Sequence, residues 1–197
     1  MRLRPTLLLV PLVALLLGGT SCAGFEEEMH PEVLPVVPAA GICASQPEAD
    51  RMCGCVYDVP IGTRYIPDFA VLRPVEMLCT DRLAMSLRRG PPGFPGVTGR
   101  YEWFGVDLAG DVEVRQAGVY SFRLTSDDGA KLYVDDALVL NNDGRHDVQA
   151  VEGSVALTPG VHRVHVPFYN GPGPMALELE VARPGGPWET LRVDQPL

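Results

Sequence analysis

The sequence predicts an all-β fold, an antiparallel β-sandwich, on three observations. Apolar and polar residues alternate with period two beyond Gly99, a turn signal closes each alternating piece, and no stretch of helical period lies between them. Val119 to Thr125 puts Tyr120, Phe122 and Leu124 on one face and Ser121, Arg123 and Thr125 on the other. Leu132 and Val134 alternate with Lys131, Tyr133 and Asp135. Val155 and Leu157 form a short run, Val164, Val166 and Phe168 oppose Arg163 and His165, and Leu177, Leu179 and Val181 oppose Glu178 and Glu180. Ala117-Gly118, Asp128-Gly129, Asp135-Asp136, Asp143-Gly144, Pro159-Gly160 and the Gly171-to-Pro174 loop mark the turns. Short half-buried strands at this spacing must cover one another's apolar faces, which a sandwich or barrel does.

The domain is assigned to residues 60–197, with its strands from Glu102 to Val193. Tyr120, Phe122, Leu124, Leu132, Val134, Val166, Phe168, Leu177 and Leu179 form the expected core. Residues 60–99 are proline-rich and predict irregular chain, in which Asp81 to Arg89 is the one piece that fits a two-turn helix. Trp103 is expected in the core, and Trp188 either there or as an exposed stacking surface.

The chain of 197 residues opens as an address rather than as fold. Arg2 and Arg4 precede an apolar run from Leu7 to Leu17, and Gly18 to Ser21 are small residues suited to cleavage, so residues 1–21 predict a signal peptide. That run is too short to span a bilayer, which takes about 20 residues. Cys22 at the cleavage point resembles a bacterial lipobox, which implies lipidation of its thiol and an outer-membrane anchor; without it the protein is periplasmic or secreted. Residues 22–59 predict a tether, acidic and then rich in Pro, Val and Ala.

Besides Cys22, the cysteines are Cys43, Cys53, Cys55 and Cys79, an even set in an exported chain that predicts two disulfides. A bond between Cys53 and Cys55 would close a strained ring, so each is expected to reach Cys43 or Cys79. A zinc site on Cys53-Gly54-Cys55 lacks a second cysteine pair and a nearby histidine. Removing the signal peptide deepens the net charge from −9 to −11, and Lys131 is the only lysine. That balance excludes a polyanion-binding surface, so no nucleic acid partner is expected, and it suits divalent cations.

The run from Gly118 to Asp135, with Ser126-Asp-Asp-Gly129 inside it, resembles the signature of the PA-fourteen (PA14) module, the β-sandwich of anthrax protective antigen. Asn142-Asp-Gly-Arg-His146, Gly153 to His162 and Phe168-Tyr-Asn-Gly171 follow in that family's order and spacing, covering roughly residues 102–184. In the family's calcium-dependent lectins, two adjacent aspartates joined by a cis peptide bond and an asparagine on a later loop hold calcium. The resemblance therefore implies Asp127, Asp128 and Asn170 as calcium ligands, with Asn142, Asp143 and Tyr169 near a bound glycan. Calcium takes six to eight oxygens, so carbonyls of the Gly171-to-Pro174 loop and sugar hydroxyls can complete the set. The partner is then a glycan or another envelope or extracellular ligand, and the membrane is reached only through the lipid.

The plain alternative makes Asp-Asp-Gly a hairpin turn, its carboxylates capping N–H groups and Gly129 at positive φ, in a structural or protein-binding lipoprotein. The loop Asn141 to Asp147 predicts a polar turn with His146 folded back. His162 and His165, three apart on a strand, face opposite sides and share no ion. Ser121, Ser126 and Ser154 lie in no nucleophile turn, and Glu178 and Glu180 suit solubility, so no catalytic role is expected.

Overall fold

The computed structural model describes residues 50–197. The signal-peptide, lipidation and Cys43 expectations fall outside these residues. Eleven strands are formed: β1 Met52–Asp58, β2 Pro74–Thr80, β3 Ala84–Arg89, β4 Phe104–Val114, β5 Gly118–Asp127, β6 Ala130–Val134, β7 Ala137–Asn142, β8 Gln149–Leu157, β9 Gly160–Asn170, β10 Pro174–Ala182 and β11 Trp188–Thr190. One sheet has the order β2-β1-β4-β9-β6-β7, and the other runs β11-β10-β5-β8 with β3 also paired to β10. All pairings are antiparallel.

The fold follows from the alternation. Every residue of the expected core is buried, from Tyr120, Phe122 and Leu124 on β5 to Leu132, Val134, Val166, Phe168, Leu177 and Leu179 on the facing and neighbouring strands. Asp135-Asp136 closes β6 and β7 as a two-residue hairpin with both residues at positive φ, 49° and 64°, the conformation that matches the strands' right-handed twist.

Three expectations are corrected. Residues 52–58 are not tether: β1 pairs with β2 on one side and β4 on the other. Residues 60–99 are not wholly irregular, since β2 and β3 lie within them. The expected helix over Asp81 to Arg89 is strand β3, paired to Pro174–Glu178 of β10, with Leu83 and Met85 buried in the core. Ala, Met, Leu and Arg favour helices, but the preference is a fraction of a kcal/mol per residue and burial against β10 outweighs it.

Cys53 and Cys79 face each other across β1 and β2 and form a disulfide; Cys55 is disulfide-bonded as well. Gly54 lies between them because nothing larger fits: a Cβ there would stand 1.8 Å from the Asp107 carbonyl oxygen. The segment between β1 and β2 folds over the outer face of the six-stranded sheet, where Phe69 stacks on Tyr57 at 4.7 Å and joins a second apolar cluster with Cys55 and Val59. Trp103 packs against that cluster, partly buried, rather than in the main core. Trp188 is partly exposed, with the Arg123 guanidinium 4.2 Å above its ring.

Candidate functional site

Strand ends from both sheets meet at one end of the sandwich. β5 belongs to the five-stranded sheet and β6 to the other, so Asp127, Asp128 and Gly129 carry the chain across between sheets. A hairpin is ruled out by that crossing. Gly129 is not at positive φ; it is glycine because a Cβ would stand 2.7 Å from Tyr169 Cε1 and 2.8 Å from the Gly144 amide nitrogen. The Asp127–Asp128 peptide is cis. On the other side β9 ends at Asn170 and the chain turns through Gly171 to Gly173 into β10.

Hydrogen bonds tie these pieces together. Gly171 N–H donates to Asp128 Oδ2 at 2.7 Å, and His146 N–H donates to Asp128 Oδ1 at 3.1 Å. Asp128 thus fixes both the Gly171 loop and the loop after β7. Asn170 Nδ2 donates to the carbonyls of Tyr101 and Gly171, each at 2.9 Å. The same amide's Oδ1 is fully buried and has no hydrogen-bond partner. Buried acceptors are rarely left so; a water or an ion commonly satisfies them.

Asp127 and Asp128 are each 4 % exposed. Burial, then the charges of Asp128 and Asp147, push the Asp127 carboxyl up to about 6, against smaller opposing pulls from His146 and Arg89. Burial raises Asp128 as well, offset by its two backbone N–H donors. The Asp127 side chain makes no hydrogen bond among the described residues, so burial and neighbouring charges alone set its shift. Two close buried carboxylates repel, and a cation between them relieves both the repulsion and the lost hydration.

The remaining expected contacts are distributed around this corner. Asn142 is buried, its Nδ2 donating to Ser126 Oγ at 2.8 Å and its Oδ1 accepting from Gln149 Nε2 at 2.7 Å, which spends the side chain inside the fold. Asp143 Oδ1 accepts from Ile66 N–H and its Oδ2 pairs with Lys131, both at 2.8 Å. Tyr169 is fully buried with an unpartnered hydroxyl, and burial with the nearby Asp128 and Asp143 charges pushes its phenol upward. His146 folds back, its ring nitrogens against the carbonyls of Asp147 and Asn142. His162 and His165 share no ion: each meets its own carboxylate at 2.6 Å, Asp135 and Asp107 respectively. Side-chain identity did not reveal Tyr101, Gly171 and His146, because they contribute through backbone atoms.

Among the described residues no three His, Cys, Asp or Glu side chains gather as a metal cluster. A cation here would rely on Asp127, Asp128, the Asn170 amide and loop carbonyls, an all-oxygen set of the kind that calcium accepts.

The PA14 domain model matches residues 95–193, half of the chain. Among solved structures, a PA14 sugar-binding domain from an RTX adhesin superposes with a TM-score of 0.63 at 20% identity, covering 73% of this chain and 96% of that one. The PA14 domain of the antifreeze protein MpAFP gives 0.60 at 19% identity, over 76% and 91%. A Candida glabrata epithelial adhesin A domain, solved with β-lactose, gives 0.50 at 13% identity, over 76% and 88%. No curated protein matches the chain in sequence. With the matched span holding both aspartates and the asparagine of the corner, the chain belongs to the PA14 domain family.

Proposed function

We propose that this protein is an exported, non-catalytic carbohydrate-binding module in which Asp127, Asp128 and Asn170 hold calcium, and the ion in turn presents open coordination positions to sugar hydroxyls. The observation that carries the reading is the orphaned Asn170 Oδ1, in the residue before Gly171, whose N–H binds the buried Asp128 carboxylate. Asn170 cannot turn its oxygen elsewhere without breaking both bonds from Nδ2. Similar domains described as sugar-binding or solved with β-lactose support the ligand class. The lipobox-like Cys22 supports display on the outer membrane. Bound calcium would supply a Lewis-acidic contact for hydroxyls; Asp127 and Asp128 supply the charge, and Asp128 also holds the loops that shape the rim.

A second reading, a protein-binding lipoprotein with a purely structural corner, is favoured by one observation: both Asp128 oxygens already accept backbone N–H groups. Calorimetry separates the two. The proposed site predicts calcium heat at or below millimolar ion and binding to a monosaccharide panel that chelator abolishes; no calcium heat at millimolar ion would leave the structural reading standing.

A further inference from the structure

The segment that folds over the six-stranded sheet does not cover all of it. Phe69 reaches β1 and β4, where Gly105 makes room for its ring, and Ile66 reaches the loop after β7 through its N–H bond to Asp143. Between its Ile66–Ala70 edge and the sheet lies a cleft of about 600 Å³, with Asp107, Lys131, Tyr133, His165 and Pro167 along it and Asp136 also in its lining. The volume is that of a small-molecule site.

Two aromatic rings line the floor. Tyr133 and His165 are stacked with ring centroids 5.5 Å apart and planes 27° from parallel. Of the flanking charges, all but the exposed Asp136 at the rim are engaged within the protein. His165 Nε2 meets Asp107 at 2.6 Å, Lys131 pairs with Asp143 at 2.8 Å, and Asp68 accepts from Ala70 N–H at 3.0 Å. A cleft built for an ion would offer unpaired charge of one sign. This one offers the Tyr133 ring, braced on one side by His165, beside polar groups most of which are held by partners, which fits a neutral, hydroxyl-rich ligand with an apolar face.

We infer that this cleft is a second saccharide site, independent of calcium and separate from the Asp127 corner, with Tyr133 as its stacking platform. The test is titration of the whole protein in chelator with maltotriose, cellotriose, chitotriose and mannotriose, followed by calorimetry and by tyrosine chemical shifts. At least one trisaccharide should bind saturably without calcium. Tyr133→Ala should weaken it at least about tenfold and Tyr133→Phe by less than about twofold, since the ring rather than the hydroxyl carries the stacking. Ala70→Trp, at an exposed wall position, should block the cleft with the floor intact and so covers the case in which Tyr133→Ala folds poorly. The inference is overturned if none of the four binds in chelator, if binding requires calcium, or if both the Tyr133→Ala and Ala70→Trp proteins bind as the wild type does.

Discussion

Asp127 and Asp128 are adjacent and equally buried, yet they contribute differently. Asp128 anchors two loops through hydrogen bonds, so its replacement mixes lost ion binding with lost structure. The Asp127 side chain contributes charge and no hydrogen bond. Asp127→Asn should therefore raise the melting temperature of the calcium-free protein by a few degrees and abolish the calcium-induced rise, as thermal unfolding with and without the ion would show. Asp143→Asn loses the Lys131 pair but should keep the calcium effect. A separate pH response belongs to His162 and Asp135. The hydrogen bond to Asp135 raises His162 above its ordinary value and lowers Asp135 below its own. The His162 contribution is complete below about pH 6.5 and is lost as pH rises through the raised folded value; the Asp135 contribution is present above about pH 4 and is lost as pH falls through the lowered one. Urea midpoints should fall between pH 6 and 8 in the wild type and fall less in His162→Gln.

The strands that the sequence reveals are those with one wet face. β5 and β10 alternate because one side meets the core and the other carries Arg123, Glu178 and Glu180; Glu180 and Glu152 both pair with Arg123. Phe122→Ala on β5 should cost about 3–5 kcal/mol in denaturant unfolding, as a fully buried ring in a packed core does. β1 hid because both its faces are covered, so Cys55, Val56 and Tyr57 are buried in succession and no alternation survives. Proline-rich flanks completed the disguise. The element is nonetheless under tight steric control, and Gly54→Ala should destabilise by about 3 kcal/mol because its Cβ meets backbone that cannot yield. A variant as stable as the wild type would show that β1 is not pinned between β2 and β4.

At the scale of the whole molecule, the candidate ion joins the two sheets: Asp127 ends a strand of one and Asn170 a strand of the other. The proposed side-chain ligands of this junction were legible as a resemblance in residue order, because loop spacing survives in sequence. The orphaned oxygen and the burial of the carboxylates were not, since they arise from chain segments about 40 residues apart meeting in space. A ligand that bridges the sheets and binds only the folded state should stabilise the domain as a unit, by about 2.7 kcal/mol at a hundredfold excess over its Kd. Protons compete for the same site. Asp127 titrates near pH 6 in the fold against an ordinary value of 3.8, so the folded state binds the extra proton between those values. In the absence of calcium, its contribution to stability is therefore greatest below about pH 4 and is lost as pH rises through about 6. Calcium has the opposite preference, requiring the ionised pair. The calcium-induced rise in melting temperature should accordingly be full at pH 7.5, smaller at pH 6 and nearly gone at pH 5, while the calcium-free protein's Asp127 contribution moves the other way. A calcium effect unchanged between pH 7.5 and 5 would mean that the ion is held elsewhere on this acidic surface.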